Sequence, residues 1–347
     1  MPPDKKRVPV LISTWLDPMH AERIAAAEPE RIELIYEPEL LPTTRYEADH
    51  HGPPRPLTDE QRLRWRNGLA RAEVSFEFDW ERPEELLERA PRLRWVQSTS
   101  SGIGPLVEHL GLAGSRLVIT NAAGIHAQPL AEFVLLTALY FAKEMPRVNT
   151  WKIERHWERF CAQEVFGSHM TLIGLGRVGS RIAELSSALG IEVTGHRRTI
   201  GGSTPRGVHR MVDAAGLDAV LPDTDILVIA APDTPDTVNL VDRRRLSLLP
   251  ANAVVVNVGR GSLIDEKAMI EMLQTGRLRG AGLDVFAQEP LPDDSPLWAM
   301  PNVIVSPHSA STVVQENDRL VDLFIENLHR YLDGRPLVNV FDHGRKY

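Results

Sequence analysis

The sequence predicts an α/β protein made of two doubly wound parallel-sheet domains. Short runs rich in aliphatic and β-branched residues alternate with helical patterns along most of the chain, and this alternation is typical of parallel sheets with helices on both faces. The chain has 347 residues, more than the roughly 100–200 residues of one ordinary domain. The strand pattern also restarts after a long helical segment, so we expect two sheets.

The predicted elements form two blocks. In the first block, strands are predicted at residues 8–14, 32–36, 74–78, 93–97 and 117–120, and helices at 21–27, 59–70 and 83–89. Apolar residues then recur every three or four positions over 127–143, which predicts a long helix that Pro146 stops. Strands of the second block are predicted at 169–173, 192–195, 226–230, 253–258, 280–285 and 303–306, and a last amphipathic helix at 312–332. Six strands separated by helices describe a complete doubly wound sheet.

Composition and charge exclude several classes of protein. Hydrophobic residues make up 43% of the chain and charged residues 25%, which are ordinary globular values. The one cysteine, Cys161, excludes an internal disulfide and a multi-cysteine zinc site, and it favours a reducing, cytoplasmic location. The formal net charge of −8 disfavours a nucleic-acid partner. The most apolar stretch, 130–142, is shorter than the about 20 residues of a membrane span, and the run 8–11 is too short for a signal-peptide core.

A Gly-x-Gly-x-x-Gly motif joins a predicted strand to a predicted helix. Gly174 allows the tight turn, Gly176 lets the backbone approach a pyrophosphate, and Gly179 lets helix and strand pack closely. The helix begins near Arg177 and Val178, where free N–H groups and a positive dipole end face the phosphates. The motif therefore predicts a dinucleotide site. The alternatives are a glycine-rich turn without a ligand and a methyltransferase-like nucleotide site.

The end of the next strand distinguishes between the two nicotinamide dinucleotides. A carboxylate there, about 20 residues after the first glycine, would bond the adenosine ribose hydroxyls. The sequence has His196, Arg197, Arg198 and Thr199 instead, and paired guanidiniums with a hydroxyl suit an anionic 2′-phosphate. We therefore predict NADP(H) in preference to NAD(H). The alternative is that Arg197 and Arg198 are solvated surface charges.

Three charged residues lie just beyond the last three predicted strands. They are Arg260, Glu289 and His308. In a doubly wound sheet the ligand crevice lies outside the carboxyl ends of the strands, and Gly174 lies at the same edge. Taken singly, each residue could be a packing, capping or exposed turn residue. Their coincidence at one edge with a dinucleotide motif indicates a catalytic site.

These motifs make the chain similar to the D-isomer-specific 2-hydroxyacid dehydrogenase family, and within it to NADP-type glyoxylate/hydroxypyruvate reductases. The resemblance covers about residues 95–311. Besides the glycine motif, the matches in order are Trp157, 257–265, 280–290, 294–298 and 307–308, with weaker matches at 100–103, 121–124 and Glu132.

The resemblance implies an activity and a role for each strand-end residue. The protein would reduce a small 2-keto acid to the (R)-2-hydroxy acid, reversibly, by hydride transfer from NADPH. Arg260 would bind the substrate carboxylate and polarise its 2-carbonyl, and His308 would donate the proton that the alkoxide needs. Glu289 would orient His308 and favour its protonated form.

The resemblance also implies further contacts. Asp284 would bond the nicotinamide carboxamide, and Pro232 and Val258 are further cofactor candidates. The backbone amides after the fourth strand resemble the loop that receives the substrate carboxylate. The candidate substrate contacts in that loop are Ser101, Gly102 and Ile103.

The resemblance implies a domain organisation as well. A Rossmann cofactor domain at 125–311 would be inserted in a flavodoxin-like substrate domain formed by 1–124 and 312–347. The protein would be a homodimer held mainly through its cofactor domains, including the helix at 127–143.

Residues that select the substrate side chain are expected in the substrate domain. Phe78 and Trp80, at the end of the third predicted strand, would form part of an apolar wall. The alternative is that they pack inside the domain, because Phe76 and Phe78 would share one strand face. His50 and His51 lie in a second candidate loop.

Two other functions stay open on the sequence alone. Formate and phosphite oxidation use a similar fold, but formate enzymes replace the glutamate partner of the histidine. Glu289 therefore argues against formate and leaves phosphite as the weaker alternative. A dinucleotide-sensing corepressor-like interaction protein would share the fold and even the active-site residues, but no disordered or basic tail is expected beyond the domains.

Overall fold

The computed structural model describes residues 7–201 and 203–344, and the chain divides into two compact units. Unit 1 consists of Met1–Ile125 and Val313–Tyr347, and unit 2 of His126–Thr312. Each unit has a central sheet of parallel strands, which confirms the predicted fold class. No helix among the described residues is long and apolar enough to cross a membrane.

Unit 1 contains a five-stranded sheet in the order β2-β1-β3-β4-β5, which is the flavodoxin-like order. Its strands are β1 (Val8–Ile12), β2 (Ile32–Ile35), β3 (Val74–Phe76), β4 (Trp95–Gln97) and β5 (Val118–Thr120). Its helices are α1 (Pro18–Ala27), α2 (Asp59–Arg71), α3 (Leu86–Arg89), α4 (Gly104–His109) and, after the chain returns from unit 2, α11 (Glu316–Leu332). Short 3-10 helices lie at Pro38–Leu40 and Pro83–Glu85.

Two apolar clusters cover the two faces of this sheet. Leu11 of β1 points into one cluster together with Trp65 of α2. The other cluster is built around Phe324 of α11, which stacks on Trp95 and meets Phe76 edge-on, with ring centroids 5.1 Å apart in both pairs. The last helix is therefore part of the core of unit 1.

Unit 2 contains a seven-stranded sheet in the order β12-β11-β10-β9-β6-β7-β8. Its strands are β6 (His169–Ile173), β7 (Glu192–His196), β8 (Arg210–Val212), β9 (Ile226–Ile229), β10 (Val254–Asn257), β11 (Gly280–Leu283) and β12 (Val303–Val305). Its helices are α5 (Ala127–Ala142), α6 (Met145–Glu154), α7 (Arg177–Ala188), α8 (Leu217–Val220), α9 (Arg243–Leu248) and α10 (Glu266–Gln274), with 3-10 helices at Leu221–Asp223, Gly261–Leu263 and Pro296–Ala299. The strand order reverses between β6 and β9, which is where ligands bind in doubly wound sheets.

The structure differs from the sequence prediction at three elements. The edge strand β8 and the helix α4 were not predicted, and both are too short, at three and six residues, to show a period in the sequence. Pro146 does not simply stop the preceding helix. The chain breaks at Glu144, whose φ of 55° is left-handed, and Pro146 lies in the first turn of α6, where its missing N–H costs no helical hydrogen bond.

Candidate active site

The glycine turn after β6 has the geometry that its three glycines predict. Gly174 has a φ of +97°, and a Cβ there would lie 2.6 Å from the backbone nitrogen of Ala231. A Cβ on Gly179 would lie 1.9 Å from the carbonyl oxygen of Gly174, so only glycine lets α7 begin this close to the strand. At Gly176 a Cβ would meet no atom within 4 Å, which leaves the backbone open to a ligand.

The beginning of α7 has the properties of an anion site. Gly176 caps this helix of 12 residues without a side-chain hydrogen bond, so the first N–H groups and the positive end of the dipole face the open side of the turn. Arg177 is exposed and Val178 half-buried in the first turn. This arrangement fits the pyrophosphate of a dinucleotide.

The end of β7 places cationic side chains next to the turn. The backbone nitrogen of Gly174 donates to the carbonyl of His196 at 3.2 Å, and Arg197 donates to the carbonyl of Leu175 at 2.9 Å. Arg198 is 80% exposed and pairs with Asp236 at 2.9 Å. Thr199 is exposed beside it.

His196 itself is buried, and its Nε2 has no hydrogen-bond partner. Burial lowers the pKa of His196, and the nearby Arg245 lowers it further. The ring is therefore neutral near neutral pH.

Three strand ends meet at the other half of the same sheet edge. β10, β11 and β12 are neighbours in register, with Asn257 opposite Leu283 and Leu283 opposite Val305. The chain segments that follow these residues therefore leave the sheet side by side. They carry the predicted arginine, glutamate and histidine.

The loop after β10 fixes Arg260. The buried amide of Asn257 donates to the carbonyl of Arg260 at 2.9 Å, and its oxygen accepts from the nitrogen of Gly259 at 3.1 Å. A Cβ on Gly261 would lie 1.9 Å from the carbonyl oxygen of Phe286, so this loop packs directly against the loop after β11. Nη1 of Arg260 donates to the carbonyl of Gly259 at 2.7 Å, and no carboxylate among the described residues pairs with this guanidinium.

Glu289 and His308 form a hydrogen-bonded pair. Nδ1 of His308 lies 2.8 Å from Oε2 of Glu289, whose Oε1 accepts from the nitrogen of Phe286 at 3.0 Å. The two side chains are 46% and 36% exposed, so ligands can reach them. His308 has a left-handed φ of 54°, and its nitrogen donates to the carbonyl of Asp284 at 2.9 Å. Strained backbone of this kind at an exposed polar residue is typical of functional sites.

Asp284 connects the loop after β11 to the loop after β12. Its Oδ1 accepts from the hydroxyl of Ser306 at 2.6 Å and from the nitrogen of Ala310 at 2.8 Å, and the residue is 2% exposed. Two other predicted cofactor contacts differ in exposure, since Val258 is buried and Pro232 is exposed.

The predicted substrate contacts all lie in unit 1. Ser101 is half-buried, Gly102 is exposed, and Ile103 is buried in the core immediately before α4. Trp80 is half-buried and packs on Trp65 with ring centroids 6.0 Å apart.

The structure corrects the expectation for Phe78. This side chain is 5% exposed in the apolar cluster on the α2 side of the sheet, so it belongs to the interior of unit 1 rather than to a ligand wall. Phe76 lies in the opposite cluster. The two rings do not share a face because Glu77, between them, has a left-handed φ of 73° that ends the strand alternation.

Sequence reasoning did not single out Glu77 or Asp49 in unit 1, although both are buried carboxylates. Neither residue belongs to a recognisable sequence motif, so the sequence gives no reason to select it. Among the described residues, no cluster of three or more histidine, cysteine, aspartate or glutamate side chains could hold a metal ion.

Comparison with known proteins agrees with this geometry. Residues 135–310 match the family model described as D-isomer specific 2-hydroxyacid dehydrogenase, NAD binding domain. The glyoxylate reductase of Aeropyrum pernix is 32% identical over 268 residues, which cover 74% of this chain and 78% of that protein.

Solved structures extend the likeness to both units. A D-isomer specific 2-hydroxyacid dehydrogenase family protein from Aeromonas salmonicida is similar with a TM-score of 0.79 and 27% identity, over 97% of this chain and 100% of that chain. An NADPH-dependent glyoxylate/hydroxypyruvate reductase from Sinorhizobium meliloti, in complex with NADP and sulfate, is similar with a TM-score of 0.76 and 27% identity, over 98% and 100% of the two chains.

Proposed function

This chain belongs to the D-isomer-specific 2-hydroxyacid dehydrogenase family, and from that premise we propose that it reduces a small 2-keto acid to the (R)-2-hydroxy acid with NADPH. The family relation makes it a nicotinamide-dependent oxidoreductase that acts on the CH–OH group of 2-hydroxy acids. The observation that carries the finer proposal is the 2.8 Å pair of His308 and Glu289 beside the loop that fixes Arg260.

The bound dinucleotide would supply the hydride. Side chains of this protein would bind the substrate, polarise its carbonyl and donate the proton. Arg260 would hold the substrate carboxylate and polarise the 2-carbonyl, since its guanidinium has no carboxylate partner of its own among the described residues. His308 uses Nδ1 toward Glu289, so Nε2 is the atom that would deliver a proton to the developing alkoxide. Glu289 would keep the proton of His308 on Nδ1 in the neutral ring and stabilise the doubly protonated ring before transfer.

The preference for NADPH rests on the cationic end of β7. Arg197 reaches the glycine turn, and Arg198 and Thr199 follow it, so a 2′-phosphate would meet charge and hydrogen-bond donors there. His196 occupies the strand end where a carboxylate would favour NAD(H). Asp284 would bond the nicotinamide carboxamide through Oδ2, because Oδ1 is the atom that accepts from Ser306 and Ala310.

The substrate contacts are proposed in unit 1. The amides of Ser101 and Gly102, with Ile103 as their buried anchor, would receive the substrate carboxylate. Trp80 and the exposed His51, which lies 3.3 Å from the hydroxyl of Ser100, are the proposed selectors of the substrate side chain. Glyoxylate and hydroxypyruvate are the first substrates to test, since the relatives are named for them.

Two further proposals concern the protein as a whole. A homodimer would cover the apolar side chains that α5 exposes, Leu136 at 54% and Leu139 at 37%. A reducing, cytoplasmic location suits the exposed thiol of Cys161. The mass of the protein in solution tests the first of these.

The function is tested by NADPH oxidation with a panel of 2-keto acids, followed by chiral analysis of the product. The panel should include glyoxylate, hydroxypyruvate and larger aliphatic and aromatic keto acids. Phosphite and formate with NADP or NAD are the comparison reactions. We expect turnover with at least one keto acid and an (R) product wherever the product is chiral. Turnover with phosphite alone, or with none of these compounds, would contradict the proposal.

A further inference from the structure

Glu77 is an unusual residue at the carboxyl end of β3. It is a carboxylate that is only 6% exposed, and its left-handed φ of 73° is a conformation that side chains other than glycine rarely adopt. A buried carboxylate and a strained backbone each oppose folding. A residue that combines them is therefore usually stabilised by several interactions with its surroundings.

The hydrogen bonds of Glu77 show what it holds. Its Oε2 accepts from the backbone nitrogen of Thr99 at 2.7 Å, from the hydroxyl of Thr99 at 2.6 Å and from the hydroxyl of Ser98 at 3.4 Å. Its Oε1 accepts from the nitrogen of Phe78 at 3.1 Å. The Glu77 carbonyl accepts from the hydroxyl of Ser75 at 2.7 Å, which fixes the backbone from the strand side.

All the partners of Oε2 belong to the loop that follows β4. Thr99 lies two and three residues before Ser101 and Gly102, the proposed receivers of the substrate carboxylate. The same loop is held on its other side, where the carbonyl of Ser100 accepts from the nitrogen of Ala122 at 3.0 Å. Three bonds from one buried carboxylate thus set the path of the loop just before those amides.

We infer that Glu77 is a positioning residue for the reaction, which pre-forms the substrate loop through Thr99 and Ser98. This inference rests on the proposed function, since it takes the loop to be the carboxylate receiver. Without Glu77 the loop amides would have to become ordered each time substrate binds. The entropy cost of that ordering would weaken substrate binding. The chemical groups of unit 2 would be unaffected.

A neighbouring carboxylate provides the matched control. Asp79 lies two residues away, is 1% exposed, and accepts from Trp65 Nε1 at 2.9 Å and from the nitrogen of Glu81 at 3.0 Å. It also pairs with Arg89 at 3.1 Å. These partners hold α2 and α3 and do not include the loop after β4. Asp79→Asn therefore perturbs a buried carboxylate at the same strand end without releasing the loop.

The experiment compares three variants of the full chain. Glu77→Ala should raise KM for the 2-keto acid at least about tenfold, because it deletes the three bonds to the loop, while kcat falls less than about threefold. Glu77→Gln keeps an acceptor oxygen for Thr99, although its NH2 group then faces the nitrogen of Phe78, so KM should lie between the values of wild type and Glu77→Ala. Asp79→Asn should lower the melting temperature but leave KM within about twofold.

Hydrogen exchange gives a readout that does not depend on activity. The amides of residues 98–102 should exchange at least about tenfold faster in Glu77→Ala than in wild type or Asp79→Asn. If Glu77→Ala does not fold, Thr99→Val, which loses the 2.6 Å bond, replaces it, with Thr99→Ser as the rescue.

The outcomes separate the two claims. Unchanged hydrogen exchange together with an unchanged KM in Glu77→Ala would overturn the inference. A lower KM in both Glu77 variants would also overturn it, because the carboxylate would then act by repelling the substrate anion. An equal rise in KM in Asp79→Asn would also overturn it. Wild-type protein without keto-acid turnover would instead refute the proposed function, and the exchange data would still decide whether Glu77 holds the loop.

Discussion

Alanine at Gly176 and alanine at Gly179 should have different consequences, although the two residues share one turn. The first substitution should impair dinucleotide binding without affecting folding. The second should impair folding. The contrast follows from what a Cβ would meet at each position, and it tests whether the turn is a ligand cradle or only a tight connection.

The structure sets the magnitude at Gly179. A Cβ there would lie 1.9 Å from the carbonyl oxygen of Gly174, whereas ordinary contact begins at 3.4 Å. Backbone atoms would have to move by about 1.5 Å in a close-packed turn. Overpacking of this kind costs about 1–3 kcal/mol, and we expect the upper end because Gly174 is itself backed by the nitrogen of Ala231, 2.6 Å from where its own Cβ would stand. A loss of about 3 kcal/mol corresponds to a melting temperature lower by roughly 6–12 °C for a domain of this size.

The structure sets a different magnitude at Gly176. A Cβ there would have no neighbour within 4 Å, and the φ of −75° suits alanine. Only the weaker capping by alanine would oppose folding, at less than about 1 kcal/mol. The methyl group would occupy the space through which a pyrophosphate approaches the helix N-terminus. We expect Kd for NADPH to rise at least about tenfold, a loss of about 1.4 kcal/mol.

Thermal unfolding without cofactor and fluorescence titration with NADPH measure both effects on the same samples. A Gly176→Ala protein that binds NADPH with wild-type affinity would refute the assignment of the turn. A Gly179→Ala protein with an unchanged melting temperature would refute the packing argument.

Three further predictions concern the two units separately. Arg198→Ala should raise Kd for NADPH about tenfold and leave Kd for NADH within about twofold; equal affinity of the wild-type protein for both dinucleotides would contradict the preference. Trp80→Ala should change the order of kcat/KM among the keto acids, and an unaltered order would remove Trp80 from the substrate wall. Asp49→Asn should lower the melting temperature at neutral pH, because the hydrogen bond from Arg45 lowers the pKa of Asp49 to about 2. That stabilisation, about 1 kcal/mol after allowance for the exposure of Arg45, is present above the ordinary pKa of 3.8 and is lost as the pH falls through about 2, so the variant and the wild type should converge there.

The sequence could predict the parts of the fold that repeat a strong local pattern. The strand β9 is a continuous apolar run, β10 is apolar up to its last residue, and α7 follows a glycine motif with a known mechanical requirement. β8 could not be predicted, because an edge strand of three residues gains its stability from pairing with β7 and not from its own sequence.

Some residues of the candidate site could be placed from the sequence, and others could not. Arg260, Glu289 and His308 could be placed at one sheet edge, because the carboxyl ends of neighbouring parallel strands meet there. The orientation of Phe78 could not be placed, because the strand period fails at a residue with positive φ, and nothing in the sequence marks Glu77 as that residue. The hydrogen bonds of Glu77 are likewise tertiary, since its partner Thr99 lies 22 positions along the chain.

The most direct test of the account is the turnover of His308→Ala with NADPH and the best keto acid of the panel. We expect kcat to fall about 10²–10⁴-fold, as for loss of a general acid, with Kd for NADPH unchanged. The matched control is His169→Ala, an exposed histidine beside carboxylates at the amino end of β6, which should keep wild-type turnover. Wild-type turnover in His308→Ala would contradict this role, because the alkoxide would then be protonated by a group other than His308.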